Sequence, residues 1–457
     1  MGHALESLEF ECLACLGTGE LWGICNSVRG YKSPLGLRTA ESLVQPKGPK
    51  PVSSRQLSIR LKESKPLKRV AIAFTASLAL FAVAGFGLNA TRVRAQTAGA
   101  IQRQFNVSPG QRIHFDLQTG ASLTINGWDN NIVSVDGALG GQDGADCRVD
   151  MQQDASGVLI TSTYAGSNRN HSSDIRLDLR VPRNFNVEIE SGGGNVTVSN
   201  LEGRISGQTG GGSLRITDSK GEADFRTGGG SIYVGNSSLE GKVTTGGGNV
   251  EIDVNTGNLQ GSTGGGTVTY KGGSVAGLAA GARAGVARIR TGGGDIRLND
   301  VPNGADLQTG GGTISIRSGR GHVKAQTGGG NITIGNLDGS VSASTGGGNI
   351  SVTVVDQSGQ TSHDVRVATG GGDVTVTLPA AISADFDIQL AYTNNARKTY
   401  QIVNDFAVSQ QTSDGWSSSN GGTPRKTIYG TGTVGGGQNK IVIRTVNGNV
   451  YVRSASQ

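Results

Sequence analysis

The chain has 457 residues, 76 of them glycine, with only 5% aromatic and 17% charged residues. That composition fits a thin, repetitive β structure better than a compact enzyme. The formal charge of +6 divides unevenly: residues 1–95 hold 13 Lys+Arg against 6 Asp+Glu, a net +7, and residues 96–457 hold 28 against 29, a net −1. The larger part is nearly neutral, so charge gives no case for nucleic acid as a partner, which would need a basic patch on the folded part.

Residues 1–69 keep no helical or strand period and carry eleven Lys+Arg. Cys12-x-x-Cys15 has the spacing of half a zinc site, but no second ligand pair follows, and Cys25 stands apart. A cytoplasmic, disordered segment is the expectation; translation beginning near Leu57 is the alternative. Val70–Leu88 is uncharged over nineteen residues, long enough to cross a bilayer as a helix. Lys62, Lys65, Lys68 and Arg69 precede it and place the N-terminus in the cytoplasm. Val93-Arg94-Ala95 matches the small-x-small pattern of a signal-peptidase site, with Gln96 as the mature start. Residues 70–90 are therefore assigned to a transmembrane anchor or a signal peptide. Either reading exports residues 96–457 and makes the membrane a partner through Val70–Leu88. Export permits disulfides, but only Cys147 remains outside, and it is read as a passive thiol.

Residues 96–190 are expected to form an N-terminal β cap and the first rungs. Leu123–Ile125, Asn126-Gly127 and Ile132–Val135 read as a hairpin or a first rung around Trp128. Val158–Ile160 and Ile175–Val181 alternate as strands, and Pro182 ends the second. Such a cap covers an edge that would otherwise pair with another chain.

Residues 191–378 hold a Gly-Gly-Gly triplet beginning at Gly192, Gly210, Gly228, Gly246, Gly264, Gly292, Gly310, Gly328, Gly346 and Gly370. The step is 18 residues, except 28 before Gly292 and 24 before Gly370. A fixed period of this size marks a stacked repeat. Within Thr209–Arg226, Leu214/Ile216 and Ala223/Phe225 alternate with polar neighbours, giving strand, turn, strand and glycine turn. No coil buries its own apolar pair, so coils must stack, about 4.8 Å apart. The fold class expected is all-β: a parallel, right-handed β-solenoid of 18-residue Gly-Gly-Gly coils, capped at both ends and preceded by one transmembrane or signal helix. A threonine precedes each triplet from Thr209 to Thr369 and is read as an inward hydroxyl ladder bonding along the stack or to the turn backbone. Short polar residues follow each triplet, as at Asn195, Ser213 and Asn249, and suit a turn exit. The triplets are expected to need positive φ, so Gly329→Val should strain its coil by about 1–3 kcal/mol, while Thr333→Val on an outward position should not. Lys271–Gly285 is an Ala/Gly-rich lengthened loop. Residues 379–457 break the period and then resume it at Ile441–Ile443 and Thr445–Val452, forming a C-terminal β cap.

The exported part resembles the putative-adhesin, β-strand-repeat family of bacterial envelope proteins, a domain of unknown function. The resemblance rests on Gly120–Asp129, on Val133–Val135, on the T-G-G-G-N-V/I units and on Thr445–Val450, and it covers most of residues 100–455. It implies a solenoid fold and a periplasmic or surface setting, and it brings no catalytic residues with it.

No residue set qualifies as a catalytic, cofactor-binding or metal site. Asp295, Asp300 and Asp306 are close in sequence, but the first two fit turns and the third has no partner in the pattern; His114, His171, His322 and His363 are scattered. The calcium-binding β-roll is excluded because aspartate follows the triplet only at Asp295 and Asp373. The outward column Thr197, Arg215, Tyr233, Glu251, Thr269, Arg297, Ser315 is mixed. It makes neither a flat threonine face for ice nor a basic stripe for anionic polymers. The expected function is a non-enzymatic, envelope-anchored adhesin-like solenoid that binds a glycan or an envelope protein, or scaffolds. A polysaccharide-active β-helix enzyme and a self-assembling scaffold are the alternatives.

Overall fold

Alternating β-branched and short polar residues leave extended backbone as the only arrangement that buries one side of each segment. A computed structural model describes residues 100–166, 174–272, 285–357, 362–396, 398–418 and 422–455. Every regular element among them is a strand, apart from the 3-10 turn Gly144–Asp146. Among the described residues no helix is long and apolar enough to cross a membrane. Residues 1–69, the apolar stretch Val70–Leu88, His171 and most of the loop Lys271–Gly285 lie outside them.

The strands make two columns of parallel pairs. In one, Glu202–Thr209 pairs with Lys220–Thr227, placing Thr209 beside Thr227. In the other, Leu214–Thr217 pairs with the first residues of Ile232–Thr245. Each pairing joins a residue to the one a full repeat away. The register survives the longer steps: Thr263 stands beside Thr291 and Thr345 beside Thr369. The strands on either side of each longer step therefore pair as the others do. The inward residues, such as Val196/Val198, Ile314/Ile316 and Ile332/Ile334, are almost wholly buried and form one continuous core between the columns.

Two ladders of side chains run along the stack on either side of the triplet. Each column threonine donates its hydroxyl to the carbonyl of the third glycine of the preceding coil, as in Thr227 to Gly212 (2.7 Å), Thr327 to Gly312 (2.8 Å) and Thr369 to Gly348 (2.8 Å). The same Oγ1 accepts from the third glycine of its own coil, as from Gly330 N–H at 3.2 Å. The residue after the triplet makes the second ladder. Asn195 Oδ1 accepts from Ser213 N–H (2.9 Å), Asn331 Oδ1 from Asn349 N–H (2.8 Å) and Asn349 Oδ1 from Asp373 N–H (2.8 Å). Both ladders satisfy turn backbone that the sheet cannot reach.

The triplets do not need positive φ, contrary to the sequence reading. Of the triplet glycines only Gly194 has it. Left-handed backbone sits instead at the opposite corner, at Asn200, Asp218 and Asn236 (φ 55°, 51° and 45°), where short polar side chains tolerate it. What requires glycine in the triplets is close stacking. A Cβ on Gly328 would strike the carbonyl oxygen of Gly310, and one on Gly330 that of Gly312. A Cβ on the middle residue, Gly329, would meet nothing within 4 Å. Nothing around Gly329 requires glycine, so the expected strain of Gly329→Val loses its basis.

The ends close by leaving chain order. At the N-terminal end, Arg112–Leu117 and Ser122–Trp128 form a rung against Asn186–Ser191 and Val196–Ser199. The later strands Gly157–Tyr164 and Asp174–Pro182 lie outside that rung. Antiparallel strands cover this outer pair: Cys147–Asp154 on one column, Ile132–Gly140 and then Ala100–Asn106 on the other. Leu123–Ile125 thus belongs to a rung, and Ile132–Val135 does not form a hairpin with it. The C-terminal end repeats the device. Asn439–Val446 and Val450–Ser454 slip between Val365–Thr369/Val374–Leu378 and Ala384–Thr393/Ile402–Asn404. Arg425–Val434 and Ser409–Thr412 then close it antiparallel.

Candidate functional site

The residues that could carry chemistry are distributed by the stack rather than gathered. Asp295 sits at a turn exit, accepting from Thr313 N–H (2.8 Å) and pairing with Arg297 (2.6 Å). Asp300 accepts from the Ser318 hydroxyl (3.1 Å). Asp306 stands in register between Arg288 and Lys324 on the adjoining rungs. Asp295 and Asp300 are held by separate partners, and Asp306 lies on the other strand column. His114 lies 3.1 Å from Glu188, and His322 Nδ1 lies 2.9 Å from the Ser340 hydroxyl. Cys147 is a free thiol, 3% exposed, in keeping with a passive role. Lys271 reaches back one rung to Glu251 (2.8 Å) and Asp253 (3.2 Å), whose carboxylates hold its amine well above the ordinary lysine value.

The resemblance motif Gly127-Trp128-Asp129 is structural. A Cβ on Gly127 would strike the carbonyl of Asn200. Trp128 donates to the Ile132 carbonyl (2.8 Å), and Asp129 pairs with Arg183 (3.1 Å). Together they fix the place where the chain leaves its rung.

Two arrangements remain that the sequence does not display. The first is a groove of about 580 Å³ along the corner before the triplets. Its outward side chains, Asp116, Glu190, Gln208, Arg226 and Thr244, come from five successive rungs, a length of about 19 Å at ~4.8 Å per rung. The sheet spaces these groups regularly, with two acidic residues first, then Gln208, Arg226 and the neutral Thr244. Glu190, Gln208, Arg226 and Thr244 follow at 18-residue spacing, whereas Asp116 joins the row only because its strand pairs out of chain order. The second is a cluster of Asp338, Asp356 and His363, whose ligand atoms all lie within 4.8 Å of one another. The structure brings this histidine, scattered in sequence terms, beside two aspartates; the signal available was the 24-residue step that His363 ends.

No protein-family model matches the chain. No curated protein matches it. Among solved structures it is similar to a putative cell adhesion protein from Clostridium sporogenes, at 11% identity over 78% of this chain and 100% of that one, TM-score 0.17. It is also similar to a putative adhesin from Parabacteroides distasonis, at 14% identity over 62% and 97%, TM-score 0.30. A third is a putative lipid binding protein from the same organism, at 11% identity over 61% and 96%, TM-score 0.23. Adhesin or cell adhesion protein is thus the name most of these neighbours carry.

Proposed function

We propose that this chain is a non-enzymatic, adhesin-like β-solenoid of the bacterial cell envelope. In this reading Val70–Leu88 holds it to the membrane, or is removed on secretion, and residues 96–457 face outward. The observation that carries the proposal is the groove from Asp116 to Thr244. It is long and open, with polar side chains along a mostly apolar lining, and it is built on stacked strands rather than on a flexible loop. A rigid row of hydrogen-bonding groups suits an extended partner laid along it, a glycan or an extended segment of an envelope protein. The separate partners of Asp295 and Asp300, and the place of Asp306 on the other strand column, support binding over hydrolysis, which needs two carboxyl groups across one bond. The antiparallel end strands support a discrete particle over an open fibre.

The test is a panel of envelope glycans and proteins offered to the full-length protein. Arg226→Ala and Glu190→Ala should weaken capture at least tenfold, while Thr333→Val on the other column should not. Equal capture by all variants would remove the groove from the proposal, and release of reducing or unsaturated ends would favour the enzyme. Export is tested separately: C-terminal phosphatase fusions should be active and cytosolic-reporter fusions silent.

A further inference from the structure

The step between Gly346 and Gly370 is 24 residues where most are 18, and the added residues fall at the corner after the strand Ile350–Val354. Asp356 stands at the start of this lengthened corner and His363 at its end. Asp338 belongs to the preceding rung. In register one rung earlier is Arg320, which is exposed. Asp338 itself is only 2% exposed and His363 only 5%. A corner position that is exposed one rung earlier is thus buried here, and Asp356 and His363, on either side of the lengthened corner, both lie close to it.

We propose that Asp338, Asp356 and His363 bind one divalent transition-metal ion, zinc being the favoured species. The distances argue for shared ligation rather than for a simple ion pair. His363 Nε2 lies 3.4 Å from Asp338 Oδ1, longer than the ~2.7–2.9 Å of a charge-assisted hydrogen bond. Two ligands at ~2.0–2.1 Å from a tetrahedral zinc are separated by about 3.3–3.4 Å, the edge of that tetrahedron. The Asp356 carboxylate completes a set within 4.8 Å. Charge argues the same way. Burying carboxylates is costly without compensation. Asp338 is buried beside His363, and a divalent ion shared with Asp356 would balance carboxylate charge and take the neutral imidazole as ligand. A donor set of imidazole nitrogen and carboxylate oxygen suits zinc or a neighbouring divalent ion, and the imidazole disfavours calcium and magnesium.

The surroundings hold the ligands in place. The next rung in space, Asn439–Val446, fixes the strand end that carries His363. Asn439 Oδ1 accepts from His363 N–H (2.8 Å), and Asp364 Oδ1 accepts from Lys440 N–H (2.7 Å). Such outer contacts orient a ligand and sharpen metal affinity. Asp356 is exposed, which gives the ion a route in and leaves a coordination position for water. The ion would clip the lengthened corner to the rung before it, next to the point where the chain's last rung inserts.

Full-length protein, stripped with chelator, is titrated calorimetrically with zinc, manganese and calcium chlorides, and cobalt(II) uptake is read by visible absorption. One zinc per chain is expected, with a melting temperature that rises with the logarithm of zinc concentration, tetrahedral cobalt absorption, and no response to calcium. Asp356→Asn, at an exposed corner, should fold normally and lose at least tenfold in zinc affinity; Asp338→Asn and His363→Gln should lose more if they fold. Absence of stoichiometric zinc binding, or wild-type zinc affinity in Asp356→Asn, would overturn the proposal and leave a buried Asp338–His363 ion pair.

Discussion

Gly330→Ala and Gly329→Ala differ by one position and should differ sharply in cost. A Cβ on Gly330 would press on the carbonyl of Gly312 and come within 2.9 Å of Gly311 O. Both obstacles are backbone, held in turn by their own rungs, so they cannot swing aside as a side chain would. The same Gly312 carbonyl accepts the Thr327 hydroxyl at 2.8 Å, so a shift that relieves the clash also stretches the ladder. Overpacking costs about 1–3 kcal/mol and a lost buried hydrogen bond about 1 kcal/mol, giving about 2–4 kcal/mol for Gly330→Ala. Gly329→Ala adds a methyl group to open space and should stay within about 0.5 kcal/mol. The chain's last rung bears on this contrast: at Val446-Asn447-Gly448 glycine persists only in the third place, where a Cβ would strike Gly372 O. Hydrogen exchange resolved by coil is the assay. Protection should fall in Thr309–Asn349 for Gly330→Ala and remain in both caps, since coils contact only their neighbours. Equal loss of protection in the two variants would refute the stacking argument.

Thr327→Val keeps shape but removes the hydroxyl that donates to Gly312 O and accepts from Gly330 N–H. Denaturant titration should show a loss of about 1–3 kcal/mol from the unsatisfied backbone, against under about 0.5 kcal/mol for the outward Thr333→Val. Asn236 holds φ 45°, so Asn236→Val should destabilise by about 1–2 kcal/mol while Asn236→Gly leaves the melting curve nearly unchanged; a harmless valine would show that this corner relaxes. Lys271 has its amine pKa raised above 10.5 by Glu251 first and Asp253 second. Its folded pKa exceeds its unfolded one, so the contribution is complete below pH 10.5 and fades as pH rises through the folded value. An NMR titration should place the Lys271 midpoint above that of an exposed lysine, and Glu251→Gln should lower it; coincident midpoints would contradict the pairing.

What the sequence by itself determined is everything carried by period. Alternation in Leu214/Ile216 and Ala223/Phe225 assigns inward and outward faces, and the 18-residue step places like residues beside like. The threonine column follows from those two facts alone, whereas the row that lines the groove takes in Asp116 only through a pairing out of chain order. Alternation and step are local properties, repeated often enough to be read without the fold. The tertiary structure decided what depends on a neighbour distant in sequence. Positive φ falls at Asn200, Asp218 and Asn236, and in the triplets only at Gly194. Composition shows that glycine is needed there, but not whether the need is torsional or a matter of carbonyls stacked against Cα atoms. The end rungs leave chain order because each end of the stack must be covered, and the strands that cover it are chosen by pairing across long loops. Asp338, Asp356 and His363 meet for the same kind of reason. Asp356 and His363 flank a lengthened corner, and only the stack sets which residue of the rung before, Asp338, lies beside them.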